Sequence, residues 1–257
     1  MPADMDDTPS SQRDWSVETP AWCGPRATSP QSSYDLARDL NMTILLPPCK
    51  YGGGYFKQRP SMQLRALNKA AAADVKLILW DDRALEDMTM VDDYPSHGAL
   101  AGFLLADEPH ADMFDAIGWA RNIMSTTRPE LLGYVNLPAA WTLPEILGTN
   151  TYEEYLDLVK EKINPDVWSF DDYGCDQGND LEQALHTLEL VKERAEDKPV
   201  WGYIRTVKVD DRPVPDHIER STWAQAYRDR SVCPAWFTYY CPPGGDGISW
   251  DGGFNTY

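Results

Sequence analysis

Short apolar runs and helical patterns alternate regularly along this chain of 257 residues. Apolar runs bounded by turn residues predict strands, and apolar positions three or four residues apart predict helices. The predicted strands are Ala21–Cys23, Met42–Pro47, Val75–Trp80, Leu100–Ala106, Leu131–Leu137, Val167–Phe170, Val200–Thr206 and Ala235–Tyr240. The predicted helices are Ser32–Leu40, Ser61–Ala73, Ala111–Ser125, Tyr152–Ile163, Asp180–Ala195 and His217–Arg230. Residues 83–98 fit a loop with one helical turn.

This strand–helix order predicts a single-domain α/β protein with the TIM (β/α)₈ barrel fold. An open doubly wound sheet is the alternative, but no Gly-x-Gly-x-x-Gly segment follows the first strand. We assign residues 1–20 to an N-terminal extension and residues 21–257 to the barrel. Pro242, Pro243 and Gly244 follow the last strand, so no eighth helix is expected there. The flank beside the first and eighth strands would then be covered by the N-terminal segment or by a second copy in a homo-oligomer.

The charge of the chain narrows the classes of partner. It has 23 Lys and Arg against 41 Asp and Glu, a formal net charge of −18. This excess of negative charge argues against nucleic acid and anionic membranes as partners. The apolar fraction of 42% is sufficient for a folded core. The first residues contain no secretory signal pattern, so the compartment is left open, with extracellular or periplasmic action expected if a signal was removed.

The cysteines and histidines predict no metal site and no cofactor. The five Cys lack paired zinc-site spacing, and the spacing of His97 and His110 matches no ligand pattern. Cys23, Cys49 and Cys241 end three strands that would be neighbours in a closed barrel. Two alternatives follow for these cysteines: a disulfide between two of them, or three unpaired thiols.

Paired carboxylates follow three of the predicted strands, at the end of the barrel where active sites lie. The pairs are Asp81 with Asp82, Asp107 with Glu108, and Asp171 with Asp172. Like charges gathered in a cleft raise the pKa of one another, which keeps a carboxylic acid protonated near neutral pH. Two simpler interpretations stand beside this one: acidic loops can reflect the net charge, and Glu108 can cap the helix that follows it.

Aromatic and polar residues at the same strand ends are candidates for binding a substrate. They are Trp80, Asn136, Trp141, Tyr173, Tyr203, Arg205 and Tyr240. Of the ten Trp, we expect Trp80, Trp141 and Trp250 to stack on sugar rings, and Trp119 and Trp223 to lie in the core. Arg205 would either bind an acidic sugar or form a salt bridge with Asp172.

Several segments share their order with one family of barrel proteins. Residues 102–109, Gly-Phe-Leu-Leu-Ala-Asp-Glu-Pro, resemble the strand-four segment of glycoside hydrolase-like barrels, which are related to the β-galactosidase-like members of glycoside hydrolase clan A. Further similar segments are Gly133–Leu137, Thr151–Tyr155, Asn164–Tyr173 and Ala235–Tyr239. The resemblance spans residues 102–240. It implies a glycosidase that acts on a polysaccharide or oligosaccharide, with Glu108 as the general acid.

The resemblance breaks at the seventh strand, which has no carboxylate where clan A enzymes place their nucleophilic Glu. Asp172 is our first candidate for the second catalytic carboxylate and Asp171 the next, because strand alternation lets one of the two face the site. Glu219 is a third option, although a helix cap suits it better. The alternative functions are a non-catalytic carbohydrate-binding barrel and a uronate polysaccharide lyase that uses Arg205 and Tyr173.

Overall fold

A computed structural model describes residues 14–49, 59–94, 96–172, 180–206 and 217–237. Its eight parallel strands close into a barrel, which confirms the predicted TIM (β/α)₈ fold. The strands are β1 (Pro20–Trp22), β2 (Ile44–Leu45), β3 (Lys76–Leu79), β4 (Leu100–Asp107), β5 (Leu132–Leu137), β6 (Trp168–Asp171), β7 (Val200–Arg205) and β8 (Cys233–Phe237). The α-helices are α1 (Gln31–Asp39), α2 (Pro60–Ala72), α3 (Phe114–Thr127), α4 (Pro144–Leu147), α5 (Tyr152–Lys162), α6 (Asp180–Ala195) and α7 (His217–Arg228).

Parallel pairing in sequence order closes the barrel. Each strand pairs with both of its neighbours, and β1 joins β2 through Ala21 and Leu45 and joins β8 through Ala21 and Trp236. All eight predicted strands are present, with ends that differ by a few residues. The loop at residues 83–98 contains the 3₁₀ helix Met88–Asp93, and the helix predicted from Ala111 begins as the 3₁₀ turn Ala111–Met113.

Alternation along the strands separates an inner core from an outer one. On β7, Trp201 and Tyr203 belong to the cluster that fills the barrel, whereas Val200 and Ile204 belong to the cluster between the barrel and the helices. Gly202 also lies on the outer side, where an added Cβ would come within 2.5 Å of the ring of Tyr227 on α7. Because side chains alternate between the two faces of a strand, every second residue of a strand faces the interior of the barrel.

A 3₁₀ turn at Trp15–Val17 closes the amino end of the barrel. Trp15 packs edge-on against Trp201 with ring centroids 6.4 Å apart, and Trp201 Nε1 donates to the Trp15 carbonyl oxygen over 3.0 Å. Cys233 Sγ donates to the Ser16 carbonyl oxygen at the start of β8. The expectation that the N-terminal segment covers the flank between β1 and β8 stays a prediction.

The remaining expectations about the chain ends stay predictions. Residues 1–13 and 238–257 lie outside the described ranges, and with them the boundary at residue 20, the absence of an eighth helix and the oligomeric contact on that flank. None of the helices in the described ranges has both the length and the apolar character that a membrane span requires.

A disulfide joins Cys23 and Cys49, so two of the three candidate cysteines do pair. It connects the segments that follow β1 and β2, and it encloses 26 residues of sequence separation, including the whole of α1. Cys233 is a free thiol, and Cys241 lies outside the described residues. The bridge therefore fixes the first two strand ends relative to each other at the carboxyl end of the barrel.

The two helical tryptophans differ in burial. Trp223 on α7 is 7% exposed and packs in the outer core, which confirms its predicted place. Trp119 on α3 is 43% exposed, so its assignment to the core was wrong. Ile117, Ala120 and Met124 form the buried face of α3, and Trp119 lies outside that stripe.

Candidate functional site

The end of β4 brings Glu108 to the carboxyl rim of the barrel in an unusual backbone conformation. Its φ is 46°, in the left-handed region that costs a residue with a side chain about 1–2 kcal/mol. The Glu108 N–H donates to the Asn136 carbonyl oxygen over 2.9 Å, and the Pro109 carbonyl oxygen accepts from Tyr155 Oη over 2.8 Å. Contacts on both sides therefore hold the strained residue in place, with its side chain exposed at the rim.

Asp171 meets Glu108 from β6. Val167 belongs to the inner cluster and Phe170 to the outer one, so alternation turns Asp171 inward. The carboxyl group of Asp171 interacts with that of Glu108, and this interaction raises the pKa of Asp171. Two neighbouring carboxyl groups disfavour ionisation of both at once.

The environment of Asp171 favours its neutral form. Burial raises the pKa of Asp171 well above its ordinary value, and the nearby charges of Glu108 and Asp107 raise it further. The amide of Asn136 opposes these effects weakly. No donor from the described part of the chain reaches the buried oxygen Oδ1 of Asp171. Asp171 is therefore the buried member of the pair, with a raised pKa, and Glu108 is the exposed member.

Asp172 faces away from this pair. Its carboxylate accepts from Trp141 Nε1 over 3.1 Å and from Thr187 Oγ1 on α6 over 2.6 Å, and the residue is 1% exposed. Strand alternation does turn one of the two adjacent aspartates towards Glu108, but it is Asp171, our second candidate. Asp172 instead fixes the indole of Trp141, whose ring is 52% exposed at the rim.

A buried polar chain runs through the barrel beneath Asp107. Tyr134 Oη lies 3.1 Å from Tyr203 Oη and 2.6 Å from Ser169 Oγ. Ser169 Oγ donates to Asn136 Oδ1, and Asn136 Nδ2 donates to Asp107 Oδ1, both over 3.1 Å. Because each member is held by the next, the chain fixes the carboxylate of Asp107 beside the Glu108–Asp171 pair.

The expected substrate contacts of Asn136 and Tyr203 differ from their observed positions. Both side chains are 0% exposed, and both lie inside the barrel as parts of the polar chain. Arg205 lies two residues after Tyr203 on β7, so it is on the same inward-facing side of the strand, and it is also buried. Tyr173, Tyr240 and Trp250 lie outside the described residues. Glu219 is on the first turn of α7, as its expected role as a helix cap requires.

Asp81 is held by an ion pair at the end of β3. Arg83 donates from Nε and Nη2 to the two carboxylate oxygens, over 3.0 and 2.7 Å, and Tyr94 Oη donates over 2.9 Å. Burial alone would raise the pKa of Asp81, but the hydrogen bonds from Arg83 and Tyr94 outweigh it and lower that pKa. Asp82, the next residue, is exposed.

We predict that Asp81→Asn destabilises the protein at pH 7 by about 1–3 kcal/mol, because the variant loses charged hydrogen bonds to Arg83. A carboxylate with a lowered pKa in the folded state stabilises the fold above its ordinary value of 3.8, and this contribution is lost as the pH falls further. Urea unfolding of the two proteins between pH 3 and 7 measures the difference, which should shrink at the acid end. An equal difference at every pH would contradict the prediction.

No group of three His, Cys, Asp or Glu side chains within the described ranges is arranged to hold a metal ion. His110 pairs with Asp112 over 2.8 Å and packs against Gly148, where a Cβ would lie 2.5 Å from the imidazole. His97 contacts Asn68 and the backbone of Ala99. Both histidines therefore have local structural contacts outside the Glu108–Asp171 pair.

The barrel and the carboxylates at its rim define a class: a (β/α)₈ protein with acidic residues at its strand ends. No protein-family model matches the sequence, and no curated protein matches it. Solved structures with a similar fold include glycoside hydrolases, at identities that establish the fold alone.

Three of these structures illustrate the similarity in fold. One is a candidate α-L-fucosidase from Bacteroides thetaiotaomicron VPI-5482 (TM-score 0.60, 11% identity, 89% of this chain and 90% of that chain). The second is the catalytic domain of Thermobifida fusca endoglucanase Cel5A (TM-score 0.59, 14% identity, 91% and 88%). The third is an endo-1,4-β-mannanase from Eisenia fetida (TM-score 0.50, 13% identity, 85% and 79%).

Proposed function

We propose that this protein is a glycoside hydrolase whose acid–base chemistry resides in the Glu108–Asp171 pair. The placement of these two carboxyl groups together at the ends of β4 and β6 carries the proposal, because it raises the pKa of Asp171 and so favours a protonated carboxyl group at the rim of the barrel. A glycosidic bond breaks when its leaving oxygen is protonated by a carboxylic acid. The glycoside hydrolases of similar fold, which include an endoglucanase and a mannanase, support this class of reaction.

The exposure of the two carboxyl groups assigns their roles. Glu108 is exposed, so it is the group that reaches a glycosidic oxygen and donates the proton. Asp171 lies deeper, and its raised pKa keeps the proton on the pair until Glu108 transfers it. Asp107, held by Asn136, places a negative charge beside the sugar, where positive charge develops in the oxocarbenium-like transition state.

The two aspartates at the end of β6 take different roles in this proposal. Asp171 is the proton partner of Glu108, because burial and the charge of Glu108 raise the pKa of Asp171. We no longer assign a catalytic role to Asp172, because its carboxylate binds Trp141 and Thr187.

The pH profile of hydrolysis tests these roles. Because the reaction needs this proton, we expect the activity of the wild type to fall as the pH rises through the raised pKa of Asp171. Asp171→Asn should lower kcat about 10- to 100-fold and change the alkaline limb of the profile, which is the pH range over which activity falls. Initial rates on an accepted glycan across pH 4–9 provide the measurement.

Asp172→Asn is the matched control. It changes the adjacent residue in the same way but alters a contact to Trp141, so it should raise KM and leave the alkaline limb in place. If the two variants have the same pH profile, the assignment of Asp171 as the proton partner fails.

A non-catalytic carbohydrate-binding barrel is the second candidate. The observation in its favour is that β7 ends in Arg205 and is followed by Thr206, so no carboxylate stands at this strand end. Binding of a glycan by the wild type, with no new reducing ends after prolonged incubation, would support this candidate against the first.

A further inference from the structure

Asn136 on β5 contacts the acidic residues of both neighbouring strands. Its backbone carbonyl oxygen accepts from the Glu108 N–H over 2.9 Å, and its side-chain Nδ2 donates to Asp107 Oδ1 over 3.1 Å. On the other side, its amide lowers the pKa of Asp171. We propose that Asn136 is the positioning residue of the site and sets where the carboxyl groups of Asp107 and Asp171 lie. The effects on rate that we expect from it rest on the proposed function.

The register of the strands gives Asn136 this central place. Asn136 stands opposite Asp107 on β4 and opposite Ser169 on β6. β5 therefore lies between the strand that leads to Glu108 and the strand that carries Asp171. Because the Asn136 side chain is 0% exposed, bulk water does not compete for its hydrogen bonds, which are stronger in the barrel interior than at the surface.

One orientation of the Asn136 amide fits these contacts. A carboxylate only accepts hydrogen bonds, so the donor Nδ2 faces Asp107 and the acceptor Oδ1 needs a donor on its own side. Ser169 Oγ is that donor, over 3.1 Å, and Tyr134 Oη holds Ser169 Oγ over 2.6 Å. In the reversed orientation Oδ1 would face the carboxylate. Ser169 therefore stabilises the orientation that Asp107 requires.

The proposed reaction needs both carboxyl groups in fixed positions. Asp107 acts on the charge of the transition state, and Asp171 acts on the proton that Glu108 transfers. A displacement of about 1 Å in a reacting group can cost up to about 100-fold in rate. Asn136 is buried beneath these groups and does not reach a bound sugar, so its loss should appear in kcat and not in KM.

Titratable side chains surround Asp171, and Asn136 differs from them because its amide is neutral at every pH. β7, which pairs with β6, carries the inward-facing Arg205. Burial raises the pKa of each tyrosine near Asp171, so these tyrosines remain neutral near pH 7. The groups that act on Asp171 are Asp107 and Glu108 on β4, Tyr134 on β5, Tyr152 and Tyr155 on α5, and Tyr227 on α7.

The titration of Asp171 tests the inference without turnover. In protein labelled with ¹³C at the aspartate carboxyl groups, the Asp171 signal is identified by its loss in Asp171→Asn. We expect the pKa of Asp171 to rise in Asn136→Leu, because leucine keeps the branched shape and removes the donor that favours the charged form. Ser169→Ala removes one oxygen atom and should raise that pKa less, and it keeps the test available if Asn136→Leu does not fold.

The kinetic effects should follow the same order. On an accepted glycan, Asn136→Leu should lower kcat about 10- to 100-fold and Ser169→Ala about 3- to 10-fold, with KM changed less than about twofold. Tyr152→Phe is the matched control. It removes a buried hydroxyl at the same end of the barrel, which donates to the Pro138 carbonyl oxygen, and should leave both kcat and the titration of Asp171 unchanged.

The outcomes separate the two proposals. An unchanged titration of Asp171 in both variants, or an equal shift in Tyr152→Phe, would overturn the inference. A raised KM with unchanged kcat in Asn136→Leu would also overturn it, because Asn136 would then act in binding. If the titration changes as expected and the wild type cleaves no glycan, the hydrolase proposal fails while the positioning of the two carboxyl groups by Asn136 stands.

Discussion

Glu108→Gln should lower hydrolysis of an accepted glycan about 10³- to 10⁴-fold, the largest effect that we expect from one side chain in this protein. The amide has nearly the shape of the carboxylic acid but has no acidic proton to donate to the leaving oxygen, and a general acid contributes up to about 10⁴-fold in rate. The loss should appear in kcat, because the neutral amide can still contact bound sugar. Initial rates and binding measured on the same glycan separate these effects.

Glu153→Gln is a suitable control for this experiment. Glu153 is an exposed glutamate in the first turn of α5, so the same change there should leave the rate unaltered. Unchanged turnover by Glu108→Gln on every glycan that the wild type cleaves would remove Glu108 from the mechanism. Substrates whose leaving group departs without protonation offer a further check. On such substrates Glu108→Gln should lose much less of the hydrolysis rate.

Removal of the disulfide should have the largest effect on stability. The double substitution Cys23→Ser and Cys49→Ser releases a loop whose ends are 26 residues apart, and the chain-entropy model assigns such a crosslink about 3–4 kcal/mol. For a domain of this size, that loss corresponds to a fall in melting temperature of about 10 °C. Denaturant unfolding and calorimetry of the wild type and the double variant measure both quantities.

Cys233→Ser provides the comparison for a cysteine outside the bridge. This thiol has one hydrogen bond, to the Ser16 carbonyl oxygen, which a serine hydroxyl can replace. We therefore expect a change well below that of the double variant. A loss of less than about 1 kcal/mol in the double variant would show that the released loop is already restricted in the unfolded chain.

The barrel could be predicted because its strands are buried on both faces. Segments such as Leu100–Asp107 and Leu132–Leu137 form continuous apolar runs, and these runs recur between amphipathic helices. The ends of the elements were less accurate, since hydrogen bonding between neighbouring strands determines where pairing stops. Trp119 was misplaced because its bulk suggested burial, whereas its position on α3 turns it outwards.

The sequence predicted which strand ends carry the site residues, but it did not predict which of their side chains come together. Sequence adjacency indicated that one of Asp171 and Asp172 would face Glu108, but it could not set the phase of β6. In the structure, Trp168 and Phe170 pack under the helices, and the small Ser169 lies inside the barrel beside Tyr134. Residue size could not have selected Asp171 in advance, because β7 places the large Trp201 and Tyr203 inside the barrel.

The contacts of Asp172 and Asn136 depend on long-range neighbours. Thr187, which binds Asp172, lies 15 residues further along on α6, and Ser169 lies 33 residues from Asn136. No local pattern connects these partners, so their roles emerged from the closed barrel alone.

At position 108, the residue that would be best for stability differs from the residue that the proposed reaction needs. Glycine would adopt the φ of 46° without a Cβ penalty, so of all residues at this position it relieves the most strain, and it also removes the acid. A lineage under pressure for thermal robustness alone would drift towards glycine here. Under the proposed mechanism, a lineage that must cleave its substrate keeps the glutamate and the backbone strain that comes with it.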